Sequence, residues 1–392
     1  MNNGTIIKAF TFYLLLIGVV FNAKAQQHYE VKQTTVVYKQ IDGFDLKMNI
    51  YTPVIKGKDK LSAIMFFHGG GWNIGSPKLF DLQAKYLASR GMVAFCPEYR
   101  LAAKHKVTVV ECVKDARTAI RYIKSHADEL GINSNQITAS GASAGGHLAA
   151  SLATIDQFNE STDDTTISAE PYALALFAPA VHVEREKLNE GYRQRFAGQE
   201  EALSPYNHIR KNMPPTLLMS GDKDTQVPVT IIRDFKKKMD EYGNTCKQIE
   251  YPGKGHGFIR IDQTPDSFQA SLKDLETFLE GLVKFKAPSW LDEYVALEKA
   301  KSFNAFSMQA LEEVNATDAQ KKQFNNLQKE YKDKLNAIKK NNGLSEAEKK
   351  DEHQKLNRYN AEVYWEKILT PEQKKYLKNK EKELRAQKNN SL

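Results

Sequence analysis

Gly141-Ala142-Ser143-Ala144-Gly145 follows the run Gln136-Ile137-Thr138-Ala139-Ser140 and precedes Gly146-His147-Leu148-Ala149-Ala150. A short apolar strand, a tight turn with small residues on both sides of a serine, and a helix-forming stretch make the context of a nucleophile elbow. In such a turn the serine is held in a strained backbone conformation. A Cβ at Gly141 or Gly145, two residues to either side, would strike the turn or the helix.

Working outward, apolar runs alternate with helical patterns. Strand patterns at 34–40 and 46–51 flank Ile41-Asp42-Gly43-Phe44, which reads as a hairpin with an Asp-Gly turn. Ala63-Ile64-Met65-Phe66-Phe67 is a continuous apolar run, suited to a strand covered on both faces. After it the pattern gives helix 79–90, strand 93–96, helix 109–129, strand 136–138, helix 146–155, strands 173–177 and 216–219, helix 230–242, strand 247–251 and helix 267–284. This alternation predicts a doubly wound, mostly parallel sheet, an α/β fold.

Three loops at the carboxyl ends of predicted strands carry reactive chemistry, where open α/β sheets place their sites. Strand 63–67 runs into His68-Gly69-Gly70-Gly71-Trp72, whose glycines let the backbone come close to a substrate and present N–H groups to it. Strand 216–219 runs into Ser220-Gly221-Asp222-Lys223-Asp224-Thr225-Gln226-Val227-Pro228, and strand 247–251 into Pro252-Gly253-Lys254-Gly255-His256-Gly257-Phe258. His256, between two glycines, has no packing reason to be there and is the base candidate. Asp222 and Asp224 are the candidate acids.

Elbow, glycine loop, Glu98-Tyr99-Arg100-Leu101, Asp115-Ala116-Arg117, the Asp222 to Pro228 segment and Gly255-His256-Gly257-Phe258 together resemble the α/β-hydrolase esterases of the hormone-sensitive-lipase and bacterial carbohydrate-esterase type, the latter including acetylxylan and feruloyl esterases. The resemblance spans roughly residues 34 to 284. It implies a serine esterase without cofactor, with Ser143 as nucleophile, Asp224 as acid and His256 as base. It also implies an oxyanion hole from the N–H groups of Gly70, Gly71 and Ala144. Asp222 is then left as a turn-capping residue. His68, Gly69, Gly141 and Gly145 support the loops, and His147 is a packing residue. The expected substrate is an acylated small molecule or polysaccharide. Peptidases share such a triad, but the long propeller or lid that screens small peptides is missing. A formamidase would share the glycine loop, although the leader described next argues against it.

Residues 1–25 stand apart: Lys8, an apolar run from Ala9 to Phe21, then Ala23-Lys24-Ala25. They read as a cleaved signal peptide and predict a secreted or periplasmic protein with no stable membrane span. The formal charge is +8, of which 22 basic and 17 acidic residues from Lys286 onward contribute +5. Interspersed charges of both signs on a secreted chain make nucleic acid a poor partner. Cys96, Cys112 and Cys246 allow one disulfide at most, and neither they nor the nine histidines show metal-ligand spacing.

Composition shifts near Lys286-Ala287-Pro288-Ser289, dividing a catalytic domain, 26–286, from a helical module, 287–392. Phe324, Leu327, Tyr331, Leu335 and Ile338 form one apolar stripe, stopped by Asn341-Asn342-Gly343. A second helix starts near Ser345 and carries Leu356, Tyr359 and Val363; a third restarts at Thr370-Pro371. Leu369-Thr370-Pro371-Glu372-Gln373 and Ala316-Thr317-Asp318-Ala319-Gln320 resemble the paired LTxxQ motifs of Spy-type periplasmic helical proteins, with Ala316 departing from leucine. That resemblance implies a binding or assembly element, through which the chain would meet a protein ligand or a second copy. It also keeps open a binding or chaperone-like protein as the alternative function.

Overall fold

The computed structural model describes residues 28–57, 59–183, 190–302 and 304–390. The predicted signal peptide lies outside the described residues. Among the described residues the strands are β1 (Val31–Ile41), β2 (Phe44–Pro53), β3 (Leu61–Phe67), β4 (Val93–Pro97), β5 (Ile132–Ala142), β6 (Ala173–Phe177), β7 (Thr216–Gly221) and β8 (Cys246–Tyr251). They form one sheet in the order β1-β2-β4-β3-β5-β6-β7-β8. β1 and β2 are antiparallel, as are β2 and β4, and every other neighbouring pair is parallel. Asp42 and Gly43 both take positive φ, 52° and 77°, as a two-residue hairpin turn of mirror-image type requires.

Helices α1 (Asp81–Ser89), α2 (Val109–Ser125), α3 (Ala144–Thr154), α4 (Glu190–Phe196), α5 (Val229–Glu241) and α6 (Pro265–Glu280) accompany the sheet. Every residue of β3 is buried, which explains its unbroken apolar sequence. α2 starts on a capping box made by Thr108 and Glu111. It ends at Ser125 rather than Glu129, and β5 runs well beyond the short strand expected at 136–138. Strand order turns back between β3 and β5, so the loops after those two strands open onto one switch point. Cys96, Cys112 and Cys246 are all free thiols.

The chain divides into two compact units between Tyr294 and Val295, eight residues beyond the shift in composition. The displacement has a packing cause. Arg90 Nε donates to Ala287 O at 3.0 Å, Ser289 Oγ donates to Glu276 at 2.9 Å, Trp290 Nε1 donates to Ser89 Oγ at 2.8 Å, and Tyr294 Oη donates to Leu82 O at 2.7 Å. Residues 287–294 therefore complete the surface of the first unit despite their tail-like composition.

Further helices are α7 (Leu291–Ser302), α8 (Met308–Glu313), α9 (Asp318–Lys340), α10 (Glu346–Val363) and α11 (Pro371–Asn390). α7 and α8 were not legible in the periodicity. The second unit has its own core, in which Leu311, Phe324, Leu327, Tyr364, Ile368 and Leu377 are buried. Of the α9 stripe only Phe324 and Leu327 are fully buried, and Tyr359 on α10 is 46% exposed. The two motifs meet in space: Gln320 Nε2 donates to Gln373 Oε1 at 2.8 Å, while each glutamine also accepts from the N–H of its own cap, Thr317 or Thr370. Ala316 and Leu369 are both buried beside these caps. The helix-start signature is thus also a tertiary joint.

Candidate active site

Ser143 stands between β5 and α3 with φ 54° and ψ −119°, the strained turn expected of it. An added Cβ on Gly145 would lie 2.0 Å from Phe67 O, and one on Gly141 would lie 2.4 Å from Gly145 O. Backbone on backbone cannot yield, so both positions exclude any side chain. Gly70 is similarly constrained at φ 123°, where a Cβ would meet Ile74 O at 1.9 Å. Its carbonyl accepts from Asn73 N and Ile74 N, both at 3.1 Å, which turns the glycine loop back on itself. Among the described residues, no loop carbonyl takes up the N–H of Gly70, Gly71 or Ala144.

The two candidate acids separate cleanly. Asp224 Oδ2 accepts from His256 Nδ1 at 2.6 Å, and its Oδ1 accepts from Gln226 N at 2.8 Å and Val227 N at 3.0 Å. Its side chain is fully buried, so the carboxylate is fixed from both ends. Asp222 Oδ1 instead accepts from Gly253 N at 2.6 Å, and Lys223 N donates to Lys254 O at 3.0 Å. Asp222 therefore fastens the loop after β7 to the loop after β8.

Ser143 and His256 line one cleft of about 940 Å³ together with Gly69, Gly70 and Gly71. Leu79, Leu82, Ile259, Ile261 and Phe268 give the cleft an apolar wall. Gln226, Tyr192 and Arg195 add polar groups. Tyr192 and Arg195 both come from the short helix α4, and nothing in the sequence singled them out.

Tyr99 supports the glycine loop: its hydroxyl donates to His68 O at 2.9 Å and its ring stacks on His68 at 4.4 Å. Next to it, Arg100 is held by Asp115, with Nη2 to Oδ1 at 2.9 Å. His147 is enclosed by Trp72 and Phe196; its Nε2–H donates to Leu203 O at 2.7 Å and its Nδ1 accepts from Trp72 Nε1 at 3.3 Å. His68, at the start of the loop, and His147, against Trp72, are both fully buried. Among the described residues no group of His, Cys, Asp or Glu is arranged to hold a metal ion, and no helix is long and apolar enough to cross a membrane.

Burial pushes the His68 and His147 imidazoles down from 6.5 to about 4, against a smaller upward pull from the backbone carbonyls they meet. The unfolded chain takes up these protons near 6.5 while the folded chain resists until about 4. Stability should therefore fall as pH drops through that window, by up to about 4 kcal/mol between pH 7 and 5 for the two together. Denaturant titrations at the two pH values measure this, and His147→Gln should remove about half of the difference. Equal stability at both pH values would contradict the buried, neutral state of these rings.

A family model described as BD-FAE matches residues 48–176. Esterase LipC of Mycobacterium tuberculosis is 26% identical over 221 residues, 51% of this chain and 54% of that protein. An acetylxylan esterase of Xylanibacter ruminicola is 27% identical over 207 residues, 50% of this chain and 41% of that protein. The chain thus spans about half the length of these relatives. A solved structure of a thermophilic esterase from Thermogutta terrifontis, Est2, is 40% identical with a TM-score of 0.61, and the match covers 67% of this chain and 95% of that one. This chain belongs to the α/β-hydrolase esterases. Forms of the Thermogutta esterase bound to propionate, bound to butyrate and phosphorylated by paraoxon match similarly, at 39%, 39% and 38% identity. The shared fold accounts for the eight-stranded sheet of this family member and for loops that gather at the carboxyl ends of its parallel strands.

Proposed function

We propose that this chain hydrolyses carboxylic esters through Ser143, His256 and Asp224. The carrying observation is the 2.6 Å contact of His256 Nδ1 with buried Asp224, in a cleft that His256 shares with a serine held at φ 54°. His256 Nε2 takes the proton of Ser143 as its Oγ attacks the ester carbonyl. Asp224 holds the Nδ1–H tautomer and stabilises the charged ring. The oxyanion is met by the N–H groups of Gly70, Gly71 and Ala144, each worth about 3 kcal/mol in comparable sites. His256 passes its proton to the departing alcohol, and water repeats the attack on the acyl-enzyme.

The proposed substrates are short-chain or aromatic acyl esters of carbohydrates. The acetylxylan esterase among the relatives and the propionate- and butyrate-bound forms of the Thermogutta esterase support this reading. The leader at residues 1–25 supports a secreted or periplasmic location. The helical unit is proposed as an element for assembly or for binding a protein ligand, because the residues that line the cleft all lie in the first unit.

One comparison tests both parts. The mature chain and a chain ending at Ser302, which keeps residues 287–294, are assayed on acetyl, butyryl and feruloyl esters and weighed by light scattering. Both should turn over acetyl or feruloyl esters with kcat/KM within about threefold of each other, less than 1 kcal/mol apart, while differing in mass per particle or in retention by a larger ligand. A preference for long acyl chains would overturn the carbohydrate-ester reading. An inactive truncation would overturn the separation of functions.

A further inference from the structure

The charges that line the cleft do not balance. Among the described lining residues Lys78, Arg195 and Arg260 are cationic, while Asp262 is the carboxylate. Asp262 is already taken by Arg260, with contacts of 2.7 and 3.1 Å. Lys78 stands exposed on the rim. Arg195 is different, because it is half-buried and built into the wall beside the glycine loop.

Arg195 Nη1 donates to Gly71 O at 2.9 Å, and the guanidinium lies 4.7 Å over the Tyr192 ring. A Cβ on Gly71 would sit 3.3 Å from Arg195 Nη1 and 3.2 Å from Tyr192 Oη, so both polar ends lie directly above that glycine. The next residue on α4, Phe196, packs edge-on against Trp72 at 5.1 Å, which fixes the helix to the same loop. Among the described residues no carboxylate pairs with Arg195, and its Nε and Nη2 meet no acceptor. A guanidinium has five donors in a rigid fork that matches a carboxylate. Held partly out of water beside a reaction site with four of those donors unspent, it favours an anion arriving with the substrate.

We propose that Arg195, oriented by Tyr192, is a carboxylate-binding subsite beside the glycine loop, and that the preferred substrates are esters carrying a carboxylate on the acyl or the alcohol side near the scissile bond. This rests on the reading of Ser143 as nucleophile, which places the scissile carbonyl against Gly70 and Gly71. Lys78 adds longer-range attraction of the same sign at the rim. A neutral hydroxyl could accept from the guanidinium but would leave its charge uncompensated.

Two substrate pairs distinguish the two sides: 4-carboxyphenyl acetate against its methyl ester for the alcohol, and monoethyl adipate against ethyl hexanoate for the acyl group. Each kcat/KM is divided by the spontaneous hydrolysis rate of the same compound. The wild type should prefer the carboxylate in at least one pair by about tenfold, which corresponds to about 1.4 kcal/mol. The preference should shrink as salt is raised. Arg195→Gln should bring the ratio close to unity, whereas Arg195→Lys should keep part of it. Absence of a preference in both pairs, or equal losses on both members in Arg195→Gln, would overturn the subsite and leave Arg195 as a tie for the glycine loop. If Arg195→Gln does not fold, the salt series and Arg195→Lys decide, and a preference indifferent to salt overturns the proposal. Failure to hydrolyse even the neutral members would instead overturn the esterase reading itself.

Discussion

Ser143→Ala is expected to lower ester hydrolysis by roughly 10⁵ to 10⁶-fold, the scale on which removing the nucleophile of a comparable triad acts. The fold should survive, because the exchange removes one hydroxyl and the strained turn is set by its glycine neighbours rather than by the Ser143 side chain. The measurement is kcat on an aryl acetate together with the pre-steady-state burst, which should disappear. Paraoxon offers a second reading, since the Thermogutta esterase is phosphorylated by it. Wild-type protein should gain the mass of one phosphoryl adduct, and the alanine variant should not. Retention of more than about a hundredth of wild-type turnover would place the nucleophile elsewhere.

Asp224→Asn should cost roughly 10⁴-fold in kcat, and Asp222→Asn less than about tenfold. The two residues stand two positions apart in one loop, yet they answer to different partners. Only Asp224 reaches the His256 ring, and its other oxygen is held by Gln226 N and Val227 N, so an amide there presents the wrong hydrogen to Nδ1. Asp222 accepts from Gly253 N, a task the carbonyl of asparagine can keep. Steady-state kinetics on one neutral ester compares them. Equal losses would mean that the loop after β7 acts as a unit, and a larger loss at Asp222 would reverse the assignment.

Local sequence was enough to place the strands of the sheet and the elbow, though not every strand end, since β5 extends to both sides of the expected 136–138. Period-two and unbroken apolar runs, Gly141, Gly145 and the glycines after Phe67 each act within a few residues of themselves, and the structure reproduces β6 to the residue. The choice of Asp224 over Asp222 came from resemblance, and the 2.6 Å contact now supplies its physical basis.

What the sequence left open is decided between residues far apart in the chain. Arg195 and Gly71 are separated by 124 positions, and no periodicity signals that a guanidinium on a short helix lies over a glycine loop. The true end of the first unit is of the same kind. Residues 287–294 have the composition of the tail, but Ser89, Glu276 and Leu82 supply partners that hold them to the catalytic unit. In the helical unit, the cap glutamines Gln320 and Gln373 each read as a local helix start, and only the fold joins them to one another. Short-range patterns determine which elements form, because their free energies are set by backbone sterics and by neighbouring side chains. Which elements share a wall, a charge or a boundary depends on packing that no single stretch of sequence contains.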